Sequence, residues 1–500
     1  MWRGMWRTWG GRAVAVGTWL GAGLATSFAQ APMPTPSVII DANSFLTNSD
    51  APRFLPPSTG TVPATPTSNA LEPQAPVAPA APVAPAAPAV PAKPADAAPA
   101  KPADSKPVDL SPLTAKPTVA ESVLGCGDAC APACVIPCEE PPCGPPGEIW
   151  FGAEYIGWVV QGSSTPPLVS FSPTGTARQN AGVLGTPGAR TVYGGDLNDE
   201  WRSGIRISFG GWLDEDHTIG FDHTLWYLPQ SNENFVAGGS GPGAFPIFSR
   251  PFFNVNTGRN DAELVSLPNV VSGTVATASE SDFWGSDGNL VALLDCGCDW
   301  RLNGLLGWRY QRLDEKLTIR ENLIALDNSS RVPLGANLQV TDQFRTENRF
   351  YGGQLGMSYW SRHGRVTLDL RALASIGLMQ QVVEINGTTQ VVANGQVARN
   401  TGGLLAQRTN IGRYERDQFG FIPEVGARVG YFLTDSLLAT VGYNFMWINN
   451  VVRPGDQIDT GINPTQIPPG TLVGQPRPRF EFNDSGVWVQ GISLGFEYRY

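Results

Sequence analysis

From Ile149 to Tyr500 apolar side chains alternate with small or polar ones, the two-residue period of strands whose faces differ. Ile205, Ile207, Phe209 and Leu213 share one face, while Arg202, Gly204, Arg206, Ser208 and Gly210 share the other. Ile219, Phe221, Leu225 and Tyr227 continue the apolar face after a turn at 214–216. Leu302, Leu306, Trp308 and Tyr310 oppose Asn303, Gly307, Arg309 and Gln311. Val366, Leu368, Leu370, Ala372, Ala374, Ile376 and Leu378 oppose Thr367, Asp369, Arg371, Ser375 and Gly377.

Connections between these strands alternate short and long. Short turns fall at 214–216, 296–299, 361–364 and 434–435; long stretches run 161–201, 229–286, 314–346, 383–417 and 449–485. Short turns on one side and long loops on the other are the asymmetry of an outer-membrane barrel. The pattern predicts an all-β fold, a transmembrane antiparallel up-and-down β-barrel of about ten strands. Leu317 and Ile319, inside 314–346, would make it about twelve if they mark another hairpin. A soluble two-sheet fold is the rival, because periodicity alone does not say which face is outside. Aromatic residues near strand ends (Trp212, Trp226, Tyr227, Tyr359, Trp360, Trp447) read as interfacial girdles and favour apolar-out.

The first 147 residues have another character. Residues 1–29 read as a signal peptide: Arg3, Arg7 and Arg12, an uncharged apolar run from Ala13 to Ala25, then Ser27-Phe28-Ala29 at the cleavage site. That run is too short to span a bilayer comfortably, which would need about 20 residues. No cysteine of lipoprotein type sits beside the cleavage site. Residues 30–125 read as a disordered Pro/Ala-rich linker, which buries too little apolar surface to offset chain entropy. In the periplasm its extended prolines would act as a spacer, with the cell wall as a conceivable partner.

Residues 126–147 form a Cys/Pro-rich segment in which Cys126, Cys130, Cys134 and Cys138 recur every fourth residue, followed by Cys143. Its prolines argue against a helix, and the spacing also admits a zinc site. An exported protein favours disulfides, with Cys296 and Cys298 completing the candidates. Seven cysteines leave one free or paired between chains. Residues 148–500 are the barrel.

Charge narrows the functions. The net charge of −10 disfavours nucleic acid as a partner. Only 16% of residues are charged, against roughly 25% in an average soluble domain. Nine charges fall on the polar face: Arg202, Arg206, Arg309, Asp369, Arg371, Glu424, Arg428, Glu497 and Arg499. Inside a barrel they must pair, because unpaired buried charge costs several kcal/mol. About ten strands with this much arginine implies a plugged or very narrow lumen.

Gly491-Ile492-Ser493-Leu494-Gly495 spells a nucleophile-elbow motif, but the elbow needs a strand, a strained turn and a helix. Here the serine lies within an alternating strand at the end of the chain. His217 and His363 fall at short turns; His223 falls on the apolar face, which calls for a bulge or a strand not wholly in lipid. No nucleophile, base and orienting group converge, so no enzyme activity, cofactor or metal is expected.

The final strand turns Trp488, Ile492, Leu494, Phe496, Tyr498 and Tyr500 to one face and Gly491, Ser493, Gly495, Glu497 and Arg499 to the other. It has to pair with the first strand to remove both sheet edges. The expectation is a structural or surface-interaction barrel in the outer membrane, its linker in the periplasm and lipid around it. A porin or small-solute channel is the alternative, and a barrel enzyme is the third reading.

The strings WFGAEYIGWVVQGSSTPPLVS, RSGIRISFGGWLDEDHTIGF, GNLVALL, LLGWRYQRLDEKLTI, NRFYGGQLG, GYNFMWINNVVRPGDQIDTGINPTQ and VWVQGISLGFEYRY occur in order over 148–500. Together they resemble the planctomycetal outer-membrane β-barrel protein family. The resemblance implies an outer-membrane or cell-surface location and supplies no substrate, catalytic residue or activity. The aromatic C-terminal face also resembles the signal read by bacterial barrel assembly machinery, which is therefore an expected partner.

Overall fold

A computed structural model of the chain describes residues 144–240, 245–328 and 332–500. The signal peptide, the linker and Cys126, Cys130, Cys134, Cys138 and Cys143 lie outside the described residues. In chain order the first eight strands are β1 Ile149–Val160, β2 Ser163–Ser172, β3 Arg190–Leu197, β4 Trp201–Trp212, β5 Ile219–Gly239, β6 Ile247–Asn254, β7 Arg259–Ser266 and β8 Val271–Gly297. The others are β9 Trp300–Ala325, β10 Asn337–His363, β11 Val366–Ala393, β12 Gln396–Thr401, β13 Gly412–Phe432, β14 Leu437–Val452, β15 Gly461–Ile462 and β16 Asp484–Arg499.

Ten of them close a ring: β1, β4, β5, β8, β9, β10, β11, β13, β14, β16 and back to β1, each antiparallel to its neighbours. Closure leaves the ring without an exposed edge. The β16–β1 seam sets Phe496 opposite Ala153 and Glu497 opposite Gly152. It is tied off where the Glu148 and Ile149 N–H groups donate to the Tyr500 carbonyl at 2.6 and 3.1 Å.

Tight turns join strands at the end where the chain enters and leaves the ring. In one of them Asp214 accepts from the N–H groups of Thr218 and Ile219 at 2.9 and 2.7 Å, which lets His217 take a left-handed φ of 54°. At the other end the strands run much further than alternation suggested. β8 to β11 are 26 to 28 residues long, so the stretch 314–346 is mostly wall and its loop shrinks to 326–336. Leu317 and Ile319 belong to the continuation of β9, and the twelve-strand alternative falls.

A second sheet fills this far end. β3, β2, β6 and β15 lie side by side and β7 pairs with β6. Its Leu168, Val169, Phe248, Phe252 and Val265 join Leu317, Ile319 and Phe344 of the wall in one buried apolar core.

Three of the aromatics read as girdle members face the other way. Trp212, Trp226 and Trp360 line the interior, whereas Tyr227 and Trp447 point outward at 45% and 37% exposure. The outer girdle is instead carried by Trp284, Tyr310 and Tyr351, whose rings meet at 5.1 and 5.0 Å.

Candidate functional site

The interior is built in three levels, starting at the short-turn end. The first is a polar chamber of about 170 Å³, lined by strand residues and by Pro145 from the lead-in to β1. Alternation directs Glu154 of β1 and Arg206 of β4 inward, and antiparallel register sets them side by side, so the guanidinium donates to the carboxylate at 2.5 Å. Arg206 also donates to Ser493 Oγ at 3.1 Å.

Arg428 spans Glu497 at 2.8 Å and Asp369 at 3.5 Å, and Arg499 holds the other oxygen of Glu497. Arg309 pairs with Glu424 and lies 3.6 Å from Asp287; Arg371 reaches Asp222 at 3.2 Å and Asp287 at 3.7 Å. Asn289, Gln354 and Ser375 continue the network through hydrogen bonds of 2.8 to 2.9 Å. Five guanidiniums thus meet six carboxylates, a near-balance that pairing demands where water is scarce.

Sequence reading found the arginines but missed Glu154, Asp222 and Asp287. The signal was present for Glu154, the one charge on the polar face of β1. Arg202 does not join this chamber. It lies beyond the next level and donates to the carbonyls of Asn198 and Ser281 at 3.4 and 3.3 Å.

The second level is an apolar layer. Ile156, Trp158, Val160, Trp226, Leu228, Phe283, Leu313, Phe350, Met379, Ile422, Met446, Ile448, Val451, Val487 and Val489 form one contacting cluster, and each is 3% exposed or less. They come from nine of the ten ring strands. The tenth, β4, brings Gly204, where a Cβ would come within 2.8 Å of Leu228. Gly352 and Gly420 give up their side-chain space to the Phe350 ring in the same way.

The third level lies inside the long-loop end. Arg453, just past β14, makes a two-pronged pair with Glu315 of β9 at 2.5 and 2.8 Å, both residues close to fully buried. Its remaining nitrogen donates to the carbonyls of Gln161 and Gly162 at 2.6 and 2.8 Å, which pins the β1–β2 connection. Arg250 of β6 pairs with Glu321 and, at 2.7 Å, with Asp342. Asp342 also accepts the N–H groups of Leu404, Leu405 and Ala406. Glu263 of β7 stands opposite Arg250 in register. Burial pushes its carboxyl well above the usual carboxylate range, and repulsion from Glu321 adds to that against the pull of Arg250.

The remaining candidates do not converge. His217 is buried at a short turn, 3.1 Å from Glu148, and His363 ends β10 exposed. His223 faces outward between the rings of Phe209 and Trp308, at 5.0 and 5.7 Å, and shares a 3.1 Å hydrogen bond with Ser286 Oγ. Register is unbroken from Ile219 to Leu228, so no bulge puts His223 there. Its polar ring is instead satisfied on the outer face by a neighbouring hydroxyl.

Ser493 sits inside regular β16 with no elbow around it. Cys296 is disulfide-bonded, whereas Cys298, at the tip of the turn, is free and exposed, which removes it from the disulfide candidates. Among the described residues no group of three or more His, Cys, Asp or Glu side chains is placed to hold a metal. Trp488, Ile492, Leu494, Phe496, Tyr498 and Tyr500 all lie on the outer face of β16, the last five 40 to 78% exposed.

Apolar outside, polar within, closed by hydrogen bonds all round and tightly turned at one end, this is an outer-membrane β-barrel. The chain belongs to the family described as "Putative beta barrel porin-7 (BBP7)", whose model matches residues 150–500. No curated protein matches it. Among solved structures it is similar to the outer-membrane protease OmpT from Escherichia coli, at 10% identity and a TM-score of 0.31, covering 71% of this chain and 97% of that one. It is also similar to a Pseudomonas aeruginosa FadL homologue, at 7% identity and a TM-score of 0.18, covering 70% and 90%.

Proposed function

We propose that this barrel is a closed outer-membrane scaffold that presents its second sheet and loops to partners and does not conduct solutes. The supporting observation is the apolar layer, whose side chains from nine strands leave no wetted wall at that level. Barrels near eight strands are filled by their own side chains, and this layer is such a filling. The second reading is a small-solute channel. The family's description as a porin favours it, as does the charged chamber below the layer.

Single-channel recording on the refolded full chain in planar bilayers separates the two. The scaffold reading expects no steady conductance; stable openings that persist at high salt overturn it and establish the channel.

The same reading makes the protein non-enzymatic, with the N-terminal linker in the periplasm reaching toward the cell wall. It also gives the aromatic face of β16 to the assembly machinery and the origin to a planctomycete, the source of the sequences that the chain resembles.

A further inference from the structure

An apolar cavity of about 100 Å³ lies at the long-loop end, between the second sheet and the extended wall. Phe252, Leu264, Leu323, Val340 and Ile467 form its sides, and Glu263 lines it too. One oxygen of Glu263, Oε2, is buried without a hydrogen-bond partner, and the residue as a whole is 8% exposed. An unsatisfied acceptor in such a place is destabilising, so its retention asks for a reason.

The charges around it supply one. Arg250 is a single guanidinium facing Glu321, Asp342 and Glu263. Asp342 is compensated by three backbone N–H groups. Asp261, which also lines the cavity, is already engaged: it accepts from Asn254 at 3.1 Å and from the Ala262 N–H at 2.8 Å. Glu263 is the acid left facing the cavity with an open acceptor. A ligand that fits must bring hydrogen-bond donors and positive charge at one end and hydrocarbon at the other. A carboxylate ligand would add another negative charge, and an alcohol would bring a donor without the charge. Since an apolar cavity of roughly 150 Å³ admits benzene, this one holds a chain of about four carbons.

We propose that this cavity binds a short-chain alkylammonium ion, with the carbon chain against Phe252, Leu323 and Val340 and the ammonium group donating to Glu263. The carboxyl releases its proton to solvent as the ion enters, so the two meet as ammonium and carboxylate. The inference goes beyond the scaffold reading and stands whether or not the barrel conducts.

The test is calorimetric titration of the folded full chain in detergent with n-butylammonium, n-butanol and butyrate. Saturable n-butylammonium binding is expected, about tenfold or more tighter than n-butanol, with no butyrate binding. Glu263→Gln should abolish the preference for the amine over the alcohol while the protein stays heat-modifiable on gels. Equal affinity for n-butanol and n-butylammonium in the wild type overturns the proposal, whatever the variant does. Unchanged n-butylammonium binding by a folded Glu263→Gln protein overturns it as well.

Discussion

On β9 the stretch near the short-turn end points Leu306 and Trp308 outward at 63% and 49% exposure, and buries Asn303 and Arg309 inside. Further along the same strand Leu317 and Ile319 are buried inside at 1% and 0%, while Lys316 and Arg320 face out. Backbone parity never changes, yet polarity inverts. The inversion falls at the apolar layer and at the Trp284–Tyr310–Tyr351 girdle, where the medium outside passes from lipid to water. Below it the wall obeys the membrane rule, and on β11 the outward apolar run from Leu368 to Leu378 matches the roughly 9–11 residues that a tilted spanning strand needs. Above it the same strands obey the soluble rule, and their inner face needs an apolar partner, which the second sheet provides. One strand set therefore serves two solvents, with the girdle as the border.

The largest effects should come from the border and just beyond it. Phe350→Ala removes a fully buried ring from the layer and should cost about 3–5 kcal/mol. Arg453→Met should cost about as much, ~3–5 kcal/mol, because it leaves Glu315 buried without its partner. Adding Glu315→Leu to the second variant should restore most of that loss. Arg371→Met should cost less than Arg453→Met, since Arg371 borders the polar chamber and is 27% exposed. Urea unfolding from lipid vesicles measures all four. Equal losses for the two arginine variants would mean that the lower chamber is as dry as the upper core.

A smaller effect tests the outer face directly. Leu306→Arg puts a charge into lipid and should destabilise by up to about 2–4 kcal/mol, depending on depth. Asn322→Arg, outward and exposed on the same strand above the girdle, should be close to neutral. The comparison fails if both substitutions cost the same in vesicle folding titrations, because the border would then lie elsewhere.

This border explains what could be read from the sequence. Below it the two faces differ in kind, so Val366 to Leu378 announces a membrane strand, and four tight turns fix the ring at ten. Above it the code inverts and inward acids interrupt it. Glu315 and Glu321 interleave with Leu317 and Ile319, which is why 314–346 read as a loop. Trp226 and Trp360 looked interfacial because large aromatics at strand ends usually are, yet both face the interior. The ion pairs escaped for a different reason. Arg250 meets Asp342 and Arg453 meets Glu315 only through the ring's closure, and no local spacing encodes such contacts.

The gentlest test is a titration of the upper half. With no cation in the cavity, Glu263 holds its proton well above the ordinary range in the folded protein, by burial first and by Glu321 second, whereas the unfolded chain releases it near the ordinary value of 4.5. Folding therefore has its full stability below that value, loses it as pH rises through the window above, and levels off once the folded carboxyl ionises too. A single proton limits the slope to about 1.4 kcal/mol per pH unit. Arg250 stays protonated across this range, and Glu321 and Asp342 remain in both proteins, so subtracting Glu263→Gln from wild type isolates the one group. The variant should match wild type near pH 4 and become progressively the more stable of the two toward pH 7, in urea midpoints measured at each pH. A difference that stays constant from pH 4 to pH 7 would mean that Glu263 is already ionised in the fold. The upper half would then tolerate free charge as readily as the lower, and the contrast between a dry outer core and a polar inner chamber would not hold.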